Sequence, residues 1–144
     1  MKPEEGGWPR TNEESWERLR EFVAYLGERP GWAAWVRVAE AILAALERDG
    51  LVRCFRVGSQ MHDIIFSTLD HHELEEEPRT TIRIDHDGTH VRVSRSESSV
   101  LFFEPADEVR VPSDQALPVV RRYLKKLWLE TKPDEALPAG LADA

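Results

Sequence analysis

The chain has 144 residues, of which 41% are hydrophobic and 32% charged, with a net charge of −8 and a single cysteine. These values are typical of one globular domain that buries its own core, and one cysteine excludes an internal disulfide. The acidic balance disfavours binding to nucleic-acid phosphates, and charges interrupt the longest apolar run, so no membrane span is expected. We therefore expect a cytoplasmic protein without nucleic-acid or membrane contacts.

Two helices are predicted in the first third of the chain. Residues 1–10 contain two prolines and a glycine pair and predict a flexible lead-in. Thr11 and Glu14 have the spacing of a capping box, and apolar residues recur with helical period to about residue 26. A second amphipathic helix is predicted over residues 32–48, and an Asp-Gly pair ends it.

After residue 50 the apolar pattern changes to that of strands. Strands are predicted over 51–57 and 62–69, joined through Gly58-Ser59-Gln60, with loops of two, three and four residues all consistent with the pattern. A better determined hairpin joins 80–85 to 89–95, because Asp87-Gly88 is a strong turn signal. The cross-strand pairs expected there are Ile84 with Val91, Ile82 with Val93, Arg83 with Arg92, and Asp85 with His90.

The remaining elements are a short fifth strand over 99–103, a strand stub at 109–111, and a last helix that begins near Ser113 or Asp114. A flexible tail is predicted over 133–144. The order ααβββββα indicates an α+β fold: one domain over 11–132, with an antiparallel sheet of about five strands and the three helices packed on one face. The opposite face would meet solvent or a partner, and an unpaired edge strand would allow a homodimer.

All five histidines lie between residues 62 and 90, which makes this stretch the first place to look for chemistry. No pair has a known metal-ligand spacing, so no metal is expected; the candidates if one binds are His62, His71, His72 and His90. For acid–base catalysis the candidates are His62, Asp63, His71, Asp85 and His90. The simpler interpretation is that these are turn and surface residues, with Asp85 and His90 forming an exposed pair worth at most ~1 kcal/mol.

Other catalytic signals are missing from the sequence. It contains no Gly-x-Ser-x-Gly nucleophile motif and no glycine-rich phosphate loop, so no cofactor is expected. Cys54 follows Arg53 in an apolar pattern and is expected to be a small buried residue rather than a nucleophile.

An acidic segment favours a binding function instead. Between Asp63 and Glu77 the chain has six acidic residues and no lysine or arginine. Together with the polar sheet face, this segment predicts electrostatic attraction to a basic protein. The expected partner-binding residues are Asp70, Glu73, Glu75, Glu76, Glu77, Arg83 and Arg92.

The leading hypothesis is accordingly a non-enzymatic interaction protein. Small acidic α+β domains without catalytic motifs are typical of bacterial inhibitors, chaperones and immunity proteins, an analogy of class only. One alternative is a metal-dependent or acid–base enzyme that uses the histidines. Another is a small-ligand-binding domain with a pocket lined by Trp32, Trp35 and Phe66, which are more simply interpreted as core residues.

Overall fold

The structure, a computed structural model, describes residues 9–68, 78–96 and 107–144. Within them the chain forms a five-stranded antiparallel sheet, in which each strand pairs with the next along the chain, and three α-helices. The predicted α+β class is confirmed. The elements are α1 (Asn12–Gly27), α2 (Ala33–Arg48), β1 (Arg56–Gln60), β2 (Asp63–Ser67), β3 (Arg79–Ile84), β4 (His90–Ser96), β5 (Asp107–Pro112) and α3 (Ala116–Thr131).

The boundaries of the edge strands differ from those predicted. The apolar run read as the start of β1 contains a 3₁₀ turn over Leu51–Arg53, which begins after Gly50 in a left-handed conformation. Leu51 is fully buried there, so its apolar character reflects core packing rather than strand alternation. The strand predicted over 99–103 lies outside the described residues, as do residues 1–8 of the predicted lead-in. β5 develops from what was predicted only as a stub.

The predictions for the two hairpins had different outcomes. The register of β3 with β4 is confirmed, with Ile82 opposite Val93 and Arg83 opposite Arg92. The β1–β2 turn was predicted around Gly58-Ser59-Gln60, but Gln60 pairs with Asp63 and only two residues form the loop. This register sets Val57 directly opposite Phe66, so that both side chains enter the core.

The core lies between the helices and one face of the sheet. Its largest fully buried aromatic side chains are Phe55, Phe66 and Trp35. The indole nitrogen of Trp16 in α1 donates a 2.9 Å hydrogen bond to the carbonyl oxygen of Phe55. This bond satisfies a buried donor and joins α1 to the start of the sheet. Among the described helices none is long and apolar enough to cross a membrane.

Residues 133–144, predicted to be a flexible tail, pack against the helices. Leu141 is fully buried in the core. Gly140 lies so close to the backbone of Asp49 that a side chain would not fit between them. Lys125 donates a 3.0 Å hydrogen bond to Ala144. Burial of Leu141, with Leu137 partly buried against the same core, holds this part of the chain to the domain, and two leucines without a helical or strand period do not reveal this in the sequence.

Candidate functional site

The sheet face opposite the helices, here called the outer face, carries the candidate site. Side chains alternate along β3 and β4, so Ile82 and Val93 point into the core while Arg83 and Arg92 point outward. The outward arginines are exposed, whereas Arg79, two rows away on β3, is only 4% exposed. The outer face is therefore open at the end where the β1–β2 and β3–β4 turns lie, here called the turn end.

Three arginines form a row across the open part of the outer face. Arg92 lies directly opposite Arg83 on one neighbouring strand and Arg110 on the other. We call these three residues the arginine row. Like charges directly opposite one another destabilise a sheet, so this arrangement needs compensation.

Two members of the arginine row have an acidic partner of their own. Arg83 binds Asp63 through two parallel hydrogen bonds of 3.0 and 2.9 Å, a geometry that fixes the plane of the guanidinium. These bonds raise the pKa of Arg83 above its already high ordinary value. Arg110 donates a 2.8 Å hydrogen bond to Asp85. Asp85 thus takes Arg110 as its partner instead of His90, which was considered from the sequence.

Arg92, at the centre of the row, differs from both neighbours. Its side chain is exposed, and within residues 9–68, 78–96 and 107–144 it has no ion pair or side-chain hydrogen bond. Asp63 and Asp85 are both engaged by the outer members of the row. The centre of the row therefore carries an exposed positive charge held between two occupied ion pairs.

The β1–β2 turn carries an exposed apolar side chain at the turn end of the sheet. Its two residues, Met61 and His62, both have positive φ, 52° and 76°. Such a turn normally holds Asn-Gly, because most side chains are disfavoured in the left-handed region. The side chain of Met61 is 90% exposed and so gains almost no packing from this conformation.

His62 and His86 both contact Trp32 at the helix side of the turn end. Their rings lie on the indole of Trp32, at centroid distances of 4.5 Å for His62 and 4.7 Å for His86. Phe22 of α1 also stacks on His62, at 6.1 Å. These are ring contacts typical of packing, and through them the candidate His62, together with His86, connects the turns to α1 and to the start of α2.

The other candidate histidines do not join this pair in the described structure. The Nδ1 atom of His90 lies 3.1 Å from the hydroxyl of Thr89. His71 and His72 lie outside the described residues. Within the described ranges no group of three His, Cys, Asp or Glu side chains is arranged to hold a metal ion. Cys54 is half-buried rather than buried, and burial raises the pKa of its thiol, which disfavours the reactive thiolate.

The remaining predicted binding residues divide between described and undescribed parts of the chain. Asp63 lies on β2 and belongs to the Arg83 ion pair. Asp70, Glu73, Glu75, Glu76 and Glu77 lie outside the described residues, in the connection between β2 and β3. Sequence reasoning missed Met61 and Arg110, since a methionine before a histidine is no turn signal and Arg110 stood in an uncertain strand.

Trp35 and Phe66, the proposed lining of a ligand pocket, are core residues at 2% and 0% exposure. Comparison of the chain with protein-family models, with curated proteins and with solved structures finds no match. The outer face and the turn end therefore remain as the candidate functional surface.

Proposed function

We propose that this chain is a non-enzymatic protein-interaction domain of the inhibitor, immunity or chaperone kind, acting in the cytoplasm. The observation that carries the proposal is the combination of an exposed Met61 in a strained turn with an ordered, charged sheet face beside it. The arginine row is the centre of that face. Its partner is a protein with basic character.

Met61 supplies the apolar part of the proposed interface. Backbone strain persists where the surrounding structure enforces it, and it is concentrated at functional positions. Methionine is enriched in interfaces because its side chain adapts to irregular partner surfaces. A methionine that contributes little to its own fold and is presented at the tip of a turn is suited to insert into a partner.

The acidic connection between β2 and β3 supplies the attraction at long range. Asp70, Glu73, Glu75, Glu76 and Glu77 lie in one short stretch of sequence that contains no lysine or arginine. Clustered surface charge speeds the encounter with an oppositely charged protein and has a smaller effect on the lifetime of the complex. The partner is therefore drawn by this segment and held by the outer face and Met61.

The proposal is tested by capturing partners from an extract of the source organism and measuring metal in the same tag-free protein. We expect one protein retained at a stoichiometric ratio and no stoichiometric metal. A stoichiometric transition metal without any retained protein would overturn the proposal and make the histidines the site.

A charge-reversal pair tests the role of the acidic segment with the captured partner. Reversal of Glu75, Glu76 and Glu77 to lysine should slow association by about tenfold at low salt without lowering the midpoint of unfolding. The matched control reverses three exposed acids on and just after α1, namely Glu17 and Glu21 in the helix and Glu28 at its C-terminal cap, and makes the same change in net charge. Equal effects of the two variants would show that only net charge matters.

A further inference from the structure

We infer that Arg92 is the residue of this surface that recognises the partner, by binding one of its carboxylates. This inference rests on the proposed function, because it names the chemistry by which the outer face selects a protein. A basic protein that places one Asp or Glu side chain over the centre of the arginine row is the occupant.

Acidic side chains bind the two outer members of the arginine row but not its centre. Arg83 and Arg110 are held by Asp63 and Asp85, at 2.9 Å and 2.8 Å. Arg92 is exposed between them, and among the described residues no carboxylate reaches it. A guanidinium presents paired N–H donors that match a carboxylate in a two-bond arrangement. Glu108 lies on the same face one row away on β5 and acts on Arg83 through space, but it forms no ion pair with Arg92, so the centre of the row lacks a bound acid among the described residues.

The strand pairing of the sheet also favours an acidic ligand at Arg92. Arg92 opposes an arginine on each neighbouring strand, an arrangement that is unfavourable in the isolated chain. An incoming carboxylate offsets the repulsion from both sides. The repulsion destabilises the free protein, and its relief adds to the free energy of binding. The two flanking ion pairs hold their guanidinium groups in place, which limits the number of side chains that the partner must order.

The position of Arg92 on the sheet suits a contact at the centre of an interface. Strands in a sheet lie about 4.8 Å apart, so the row spans roughly 10 Å, with the β1–β2 turn two strands beyond Arg92. This extent fits within one side of an ordinary protein interface. Arg92 therefore determines the specificity of the interface from its centre. Met61 adds apolar contact area at the margin.

The experiment follows the Nε–Hε signals of the arginines by nitrogen-15 NMR during titration with the capped tripeptide Glu-Ala-Glu. The Arg92 signal is assigned by its loss in Arg92→Lys, and the control peptide is Gln-Ala-Gln. We expect a saturable shift at Arg92 that the control peptide does not cause. The exposed Arg37 of α2 should stay unchanged. Equal shifts at Arg37 and Arg92, or no shift at Arg92, would overturn the inference.

The captured partner gives the second measurement. Arg92→Glu should weaken its binding by about tenfold or more, while Arg37→Glu changes it by less than about twofold. Because Arg92→Glu replaces two repulsions with attractions, the variant should unfold at the same or a higher temperature, so lost binding is not lost folding. Should it fail to fold, Arg92→Gln replaces it.

The role of Arg92 and the interaction function can be disproved separately. Partner binding that Arg92→Glu leaves intact overturns the role of Arg92 and leaves the interaction function standing. Failure of the wild-type chain to retain any protein counts against the proposed function, and the peptide titration then decides the chemistry of Arg92.

Discussion

The ring centroids of His62 and Trp32 lie 4.5 Å apart, although the backbone of His62 has a φ of 76°. The ring contact with Trp32, together with stacking on Phe22, holds the side chain of a residue in a conformation that it rarely adopts. Met61 has no comparable contact. The strain of the β1–β2 turn is therefore offset at His62 and left uncompensated at Met61.

Met61→Asn should stabilise the protein by about 0.5–1 kcal/mol, since asparagine tolerates the left-handed region and the exposed methionine loses little packing. Met61→Val should destabilise it, because a branched side chain is strongly disfavoured at positive φ. Urea unfolding of the three proteins measures both changes. A Met61→Asn variant no more stable than the wild type would show that the turn is not strained.

Three glycine-to-alanine variants separate conformational cost from steric cost. At Gly88, with φ of 76°, a Cβ would lie 2.9 Å from the carbonyl oxygen of Ala34, whereas at Gly50, with φ of 78°, it would meet nothing within 4 Å. Gly58 has neither a positive φ nor a near neighbour. We expect losses of about 2 kcal/mol or more at Gly88, about 1 kcal/mol at Gly50 and near zero at Gly58. Chemical denaturation gives the order, and similar losses at Gly50 and Gly88 would contradict the close approach to α2.

The ion pair between Arg83 and Asp63 should contribute modestly to stability, because the arginine side chain is 60% exposed. A double-mutant cycle with alanine at both positions should give a coupling free energy of about 0.5–1 kcal/mol. The coupling should fall when the salt concentration is raised. A coupling near zero would mean that Asp63 does not compensate the arginine row.

Stability should decline at alkaline pH because of Tyr123. Burial, followed by a hydrogen bond with Asp107, raises the pKa of Tyr123 from 10.0 to about 12. The unfolded chain therefore loses this proton at lower pH than the folded chain. The stabilising contribution is complete below pH 10 and is lost progressively as the pH rises toward 12.

Ultraviolet titration of the phenol measures this pKa directly. The chain has two tyrosines, so Tyr25→Phe leaves Tyr123 as the only signal. Ionisation of that single tyrosine near pH 10 in the folded protein would contradict its buried environment.

The sequence predicted the parts of this fold that local patterns determine. The Asp87-Gly88 turn and alternating apolar residues were enough to obtain the β3–β4 register, and with it the outward positions of Arg83 and Arg92. The β1–β2 turn was misplaced because a tertiary requirement, the pairing of Val57 with Phe66 in the core, outweighs the turn preference of Gly58. The ion pairs likewise depend on tertiary structure. Asp85 binds Arg110 because β5 pairs with β4 and brings Arg110 close, and local sequence patterns do not determine how far β5 extends.

The histidines illustrate why clustering in sequence did not define a site. His62 and His86 come from different hairpins, and both contact Trp32. These contacts form only when the sheet has brought the two turns together beside the start of α2. Nothing in the spacing of the two histidines indicates that an indole lies against both of them.

The most direct test of the central claim uses the methyl group of Met61 as a reporter. The chain has two methionines, Met1 and Met61, so carbon-13 labelling of methionine methyl groups gives a spectrum that Met61→Leu assigns at once. On addition of the captured partner, the account predicts that the Met61 methyl signal shifts or broadens in proportion to complex formation. A fully formed complex in which the Met61 signal does not change would place the interface elsewhere and contradict the account.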